Sequence, residues 1–131
     1  MPMAADIMTS SPITVDTMAT VADAIGVMHD EDVRHLPVIN EAGELVGVVS
    51  DRDTRALVLS FGSTGAQVLA LDKPVSDMMS SDILTCTPSM DVEDVVHLFL
   101  DHRVGAIPVV DEREGTLVGI VSYMDLLRTM V

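Results

Sequence analysis

Residues 6–40 recur as residues 77–111 at a displacement of 71 positions, and this duplication restricts the fold more than any other feature of the chain. Asp6, Met8, Ser10, Thr14 and Val21 meet Asp77, Met79, Ser81, Thr85 and Val92; Asp23, Asp30, Val33, Pro37 and Val38 meet Asp94, Asp101, Val104, Pro108 and Val109. One extra residue in the second copy moves the displacement to 72. Gly43, Leu45, Val46, Gly47, Val49, Ser50 and Asp53 then align with Gly115, Leu117, Val118, Gly119, Val121, Ser122 and Asp125. A chain of 131 residues built this way holds two small repeats that must share a core, because neither alone buries enough apolar surface.

The hydrophobic period changes in the same order within each copy. A short apolar stretch at residues 13–15, and again at 83–86, reads as a brief strand. Val21, Ala24, Ile25 and Met28 fall at helical spacing, as do Val92, Val95, Val96 and Phe99. Two apolar runs follow, 35–39 and 45–49, separated by an Asn-Glu-Ala-Gly-Glu turn; their counterparts are 106–110 and 117–121, and both pairs predict hairpins. Ser50 and Ser122 stand where the last helix of each copy needs an N-cap. The order is β-α-β-β-α, twice. Residues 1–59 form the first repeat, 60–75 a connector with room for one helical turn before Pro74, and 76–131 the second repeat. Gly62 and Gly65 in the connector do not form a phosphate-binding loop, because no Gly-Lys-Ser/Thr follows.

Charge narrows the function classes. With 21 acidic residues against seven basic ones the formal net charge is -14, a field that repels a phosphate backbone. Phe61, Phe99 and Tyr123 are the whole aromatic inventory, too few for a base-stacking platform, so no nucleic-acid partner is expected. No apolar run reaches the roughly 20 residues of a membrane span, and residues 1–10 lack the pattern of a secretory signal, so the expected location is cytoplasmic. Cys86 has no cysteine partner and reads as a small core hydrophobe. His29, His97 and His102 belong to exposed faces of the first helices, and no cluster has metal-ligand spacing. Most of the ten methionines read as gap-filling hydrophobes, with Met8 and Met79 candidates for the border of a base pocket.

The chemistry lies in Gly47-Val48-Val49-Ser50-Asp51-Arg52-Asp53 and Gly119-Ile120-Val121-Ser122-Tyr123-Met124-Asp125. Ser-x-x-Asp at a helix start is a capping arrangement. It is equally a pair of ligand groups: free N–H groups and a hydroxyl suit an anion, and a carboxylate one turn on accepts both hydroxyls of a ribose. No nucleophile, base and orienter stand together, so no catalytic residue is assigned and the chain is not read as an enzyme.

These segments, the Asp-Ile-Met-Thr and Asp-Met-Met-Ser openings and the Leu-Pro-Val-Ile and Ile-Pro-Val-Val strands together resemble a tandem pair of cystathionine β-synthase (CBS) domains, or Bateman module, from about Asp6 to Leu127. The resemblance implies an α+β fold of two repeats packed about a pseudo-twofold axis, with two clefts between them. It also implies an adenosine-type ligand (AMP, ADP, ATP or S-adenosylmethionine), a homodimer formed through helices, and output through an effector protein still unidentified. Carried over by position, one cleft would use Ser50, Arg52 and Asp53 with Asp82, Ile83 and Leu84, the other Ser122 and Asp125 with Ser11, Pro12 and Ile13. Arg34 and His35 would serve the phosphate end of one cleft, where the second repeat has Gly105 and Ala106, so the clefts are expected to be unequal. Arg34, Arg52, Arg55 and Arg103 are then local compensation for a bound anion, or else surface partners of Asp30, Asp32 or Asp51. Two other readings compete. One is a ligand-independent dimerisation or protein-interaction module, in which the serines only cap helices; the other is a metal or redox sensor using Cys86 and the histidines.

Overall fold

Each hairpin forms where a five- or six-residue apolar run meets a turn whose first residue can bond its own backbone. Asn40 Oδ1 accepts from the amides of Ala42 (3.0 Å) and Glu44 (2.9 Å), and Gly43 supplies the left-handed φ of 81°. In the second repeat Asp111 Oδ1 accepts from the Arg113 amide at 3.1 Å, and Gly115 has φ 69°. The computed structural model describes residues 2–60 and 71–131. The expected helical turn of the connector lies mostly outside the described residues.

The elements in chain order are α1 (Ala4–Ile7), β1 (Thr9–Ser10), β2 (Val15–Asp16), α2 (Val21–Asp30), β3 (His35–Ile39), β4 (Leu45–Ser50) and α3 (Asp51–Ser60). A 3-10 turn at Val75–Asp77 precedes α4 (Val92–His102), β5 (Ala106–Val110), β6 (Leu117–Ser122) and α5 (Tyr123–Arg128). The chain divides into two compact units, both mixed α+β: a contiguous unit, Ile13–Ile83, and a split unit, Met1–Pro12 with Leu84–Val131.

In the contiguous unit the sheet order is β2-β3-β4, with β2 parallel and β4 antiparallel to β3, and Ser80 bridges Val48 on the far side of β4. In the split unit the order is β1-β6-β5, all antiparallel, and Cys86 bridges Val109 in parallel on the far side of β5. The two sheets are the same structure by repeat position. Residues 9 and 80 take one edge and residues 15 and 86 the other.

The cores follow. Val15, Ala24, Met28, Leu36, Val38, Val49 and Val75 are buried together in the contiguous unit. Ala4, Cys86, Val95, Phe99, Ile107, Val109 and Val121 are buried together in the split unit. Val75 and Ala4, both fully buried, come from segments outside the helix-and-hairpin pattern of each repeat. Residues 2–12 thus complete the unit that holds the second hairpin, and residues 75–83 complete the unit that holds the first. The compact units therefore cut across the contiguous repeats expected from sequence. We call these two segments the arms.

Two expectations are corrected. The first strand is Val15–Asp16, not residues 13–15, and residues 83–86 contribute only the bridge at Cys86. Pairing begins where a side chain enters the core. Val15 and Cys86 are buried, at 7% and 2% exposed, whereas Ile13 is 38% exposed.

The arms explain the motif glycines. A Cβ on Gly47 would lie 2.8 Å from Met79 Cγ and 3.0 Å from the Ser80 carbonyl oxygen; on Gly119 it would lie 2.9 Å from Met8 Cγ and 3.1 Å from the Thr9 oxygen. The glycine lets the arm's methionine lie flat on the strand. Met8 and Met79 therefore act as packing clasps in the Asp-x-Met openings, and both lie partly buried against the core of their unit.

Candidate functional site

In the contiguous unit the register places His35 opposite Ser50, at the end of the hairpin where β4 gives way to α3. The Asp51 amide donates to the Arg34 carbonyl at 2.8 Å, which holds Arg34 and His35 beside the helix start. Ser50 Oγ accepts from the Asp53 amide at 3.0 Å and so caps α3. Asp53 and Arg52 are exposed in the first turn of α3. Asp51 forms an ion pair with Arg55 at 3.0 Å, so for Arg55 the surface-pairing reading is the one realised. His35 is held below its ordinary value of 6.5, chiefly by burial; the Asp53 carboxylate opposes this, Arg34 adds to it, and Asp51 opposes it. At neutral pH His35 is thus an uncharged donor or acceptor between an arginine and two aspartates.

In the split unit the equivalent corner is different. Ala106 faces Ser122 where His35 faces Ser50. Ser122 caps α5, accepting from the Asp125 amide at 3.4 Å. Asp125 Oδ2 in return accepts from the Ser122 amide (2.8 Å) and hydroxyl (3.2 Å), a closed capping box. The second oxygen, Oδ1, accepts from Arg128 Nη1 at 3.3 Å. Asp125 is 7% exposed.

The other residues expected to serve these corners lie along the edges of the two sheets. Because β2 runs parallel to β3, Ile13 precedes Val15 on the side toward His35 and Ser50, and it belongs to the contiguous unit. Leu84 precedes Cys86, which bridges Val109 in parallel, and belongs to the split unit, packed against its core. Ser11 follows β1, its amide donating to the Val118 carbonyl at 3.3 Å, so Ser11 and Pro12 run away from Ser122. Asp82 and Ile83 follow Ser80 away from Ser50 in the same sense. The chain direction along each edge therefore places Ile13 toward the Ser50 end of its unit and Leu84 toward the Ser122 end of its own, while Asp82 and Ile83 share the unit of Ser50, and Ser11 and Pro12 that of Ser122. Ser11 sits in the left-handed region at φ 48°, a conformation its counterpart Asp82 does not share.

Arg103 stands at the C-cap of α4 with φ 53°. His29, His97 and His102 are exposed, and among the described residues no group of three metal-ligating side chains comes together. Cys86 is buried and its thiol is pushed up to about 11. No helix among the described residues is long and apolar enough to cross a membrane. Arg128 is the residue at the corner that sequence reading missed; its signal was the helical i,i+3 spacing from Asp125.

Two equivalent α+β units, each ending a hairpin on a serine-capped helix with an aspartate one turn in, define a duplicated module of small-domain type. A family model described as CBS domain matches the chain twice, over residues 4–60 and 75–131. The chain belongs to the CBS-domain family and is a tandem pair of such domains. It is 34% identical over 121 residues to the CBS domain-containing protein YhcV of Bacillus subtilis, covering 92% of this chain and 80% of YhcV. It spans only 21% and 23% of two enzymes among its relatives, an inosine-5'-monophosphate dehydrogenase and a homoserine O-acetyltransferase. Among solved structures, CBSX2 in complex with AMP superposes with a TM-score of 0.84 at 32% identity, covering 99% of this chain and 96% of that one. The CBS domain pair of MJ0100, in complex with 5′-methylthioadenosine and S-adenosyl-L-methionine, gives 0.81 at 25% identity, with 98% and 99% covered.

Proposed function

We propose that this chain is a non-catalytic regulatory module that binds an adenosine-type ligand, such as AMP, ADP, ATP or S-adenosylmethionine. Asp53 in the contiguous unit and Asp125 in the split unit are the ribose acceptors. The observation that carries this reading is the duplicated corner itself, in which a serine cap holds a carboxylate one helical turn from a strand end in both units. The AMP complex of CBSX2, at 32% identity over nearly the whole chain, supports the ligand class. Arg34, His35, Ser50 and Arg52 suit the contiguous unit to the phosphate of a nucleotide, because they place two guanidinium groups and a hydroxyl around the start of a ten-residue helix. The split unit, with Ala106 in place of His35, offers its ligand less charge.

A thermal-shift panel of AMP, ADP, ATP, adenosine and S-adenosylmethionine tests this. A ligand at a hundredfold excess over Kd should stabilise the fold by about 2.7 kcal/mol. Asp53→Ala and Asp125→Ala should each remove one binding event by calorimetry. No shift with any compound at millimolar concentration refutes the proposal.

A second reading, compatible with the first, comes from α5, where Tyr123, Met124 and Leu127 are 50%, 57% and 57% exposed. Their counterparts in α3 are Asp51, Arg52 and Arg55, so at these three positions the second helix is apolar where the first is charged. Self-association through this helix, or docking of an effector protein on it, would bury that face. Leu127→Asp should shift an assembled form to monomer in light scattering; unchanged mass and unchanged partner binding would exclude this face.

A further inference from the structure

We propose that Arg128 is a latch on the split unit, holding the Asp125 carboxylate when no ligand is present, so that the contiguous unit fills first. The inference rests on the ribose-binding reading of Asp53 and Asp125 and adds to it an order of occupancy.

The duplication supplies its own control. Both oxygens of Asp125 are engaged, Oδ2 by the Ser122 amide and hydroxyl and Oδ1 by Arg128 at 3.3 Å. A ribose diol needs a carboxylate oxygen with lone pairs free to accept it, and only one of these two sets of bonds can give way cheaply to supply one. The Ser122 bonds close the cap of α5 and are internal to it. Arg128, by contrast, has a side chain 70% exposed, so its guanidinium can swing into water while a ribose hydroxyl takes its place on Oδ1. The latch is therefore Arg128 and not the capping box. At the corresponding place in the contiguous unit, three residues after Asp53, stands Ala56, whose methyl group can make no such bond. Asp53 itself is exposed, and among the described residues its carboxylate takes part in no hydrogen bond or ion pair. One corner is open and the other is self-engaged.

Two consequences follow. The affinity gap between the units should narrow as salt rises, since the exposed guanidinium of this ion pair is open to screening while a diol–carboxylate bond is not. The latch should also act only on ligands that carry the diol.

The test uses the intact chain with Asp53→Ala, which leaves Asp125 as the ribose acceptor, and titrates adenosine and 2′,3′-dideoxyadenosine by calorimetry at low salt. Adding Arg128→Gln should tighten adenosine by about two- to fivefold, the range of one exposed ion pair, and leave dideoxyadenosine unchanged. Arg128→Lys, which keeps the charge, should fall between, and circular dichroism should confirm that all variants are folded. Adenosine affinity that is unchanged or weaker in Arg128→Gln overturns the latch alone. Absence of adenosine binding in the unsubstituted chain and in every variant overturns the ribose-binding reading and the latch with it.

Discussion

Replacing Gly47 by alanine should destabilise the contiguous unit, and the cause can be isolated. The new methyl carbon would lie 2.8 Å from Met79 Cγ and 3.0 Å from the Ser80 carbonyl oxygen. The methionine can turn aside only by giving up its place against the core, and the carbonyl is pinned by paired bonds, Val48 amide to Ser80 oxygen at 3.1 Å and Ser80 amide to Val48 oxygen at 2.9 Å. Overpacking of this kind costs about 1–3 kcal/mol. At roughly 4 °C per kcal/mol for a chain of this size, the melting temperature should fall by about 4–12 °C. Gly26 is the control, since it is exposed on α2 with nothing within 4 Å of a built Cβ. Gly26→Ala should stabilise by about 0.5–1 kcal/mol through helix propensity. Urea denaturation of Gly47→Ala, Met79→Ala and the double variant completes the cycle. If the methionine is the obstacle, the glycine substitution should cost about 0.5 kcal/mol once Met79 is truncated, a coupling of about 1–2 kcal/mol. A Gly47→Ala cost that is negligible, or that is the same with and without Met79, refutes the clasp.

Asp125→Ala should cost about 1–2 kcal/mol, because it opens a capping box and strips the Ser122 amide of its acceptor, whereas Asp53→Ala keeps the Ser50 cap on the residue 53 amide and should cost about 0.5 kcal/mol or less; chemical denaturation of the two ligand-free variants checks the difference. His35 is depressed below 6.5 in the folded chain, so the unfolded state takes up its proton first. The associated stability is present above pH 6.5 and is lost as pH falls through the folded value, and His35→Gln should flatten that part of the urea midpoint as pH is lowered below 6.5. For Cys86 the sign is opposite: its thiol is raised from 9.0 to about 11, so its contribution is intact below pH 9.0 and lost as pH rises toward 11. Being 2% exposed, it should react with iodoacetamide only as fast as the chain opens; rapid labelling of the folded protein would contradict its burial.

Much of the fold was legible because local signals agree. The runs at 35–39 and 106–110 coincide with β3 and β5 to the residue, since each is an apolar stretch ended by a side chain that bonds its own turn. Ser50 and Ser122 announce the helices they precede for the same reason. The arms were not legible. A two-residue strand and a four-residue helix have no period, and the glycine that fixes their arm, Gly119, lies more than 100 residues away along the chain. Nor could the sequence say which unit each arm joins, because the two openings are near-copies and either would fit either glycine. The same blindness affected the site. Ser50 with Asp53 and Ser122 with Asp125 were readable from spacing, but whether residue 13 or residue 82 lies on their side of the sheet depends on strand direction, which composition does not encode.

The exchange of arms bears on the order in which the chain acquires structure during synthesis. The contiguous unit is complete once residue 83 has emerged, and its far edge is closed by the Val48–Ser80 bridge. The split unit waits for β6, because Thr9 must find Ile120 and Met3 must find Asp91. Closing the longer of these loops costs about 1 kcal/mol more than closing the Val48–Ser80 loop, by the logarithmic growth of loop entropy. Until then residues 2–12 are an unpaired edge with a methionine and no glycine to lie on. The Gly47 groove, by contrast, meets its own methionine, Met79, within the contiguous unit.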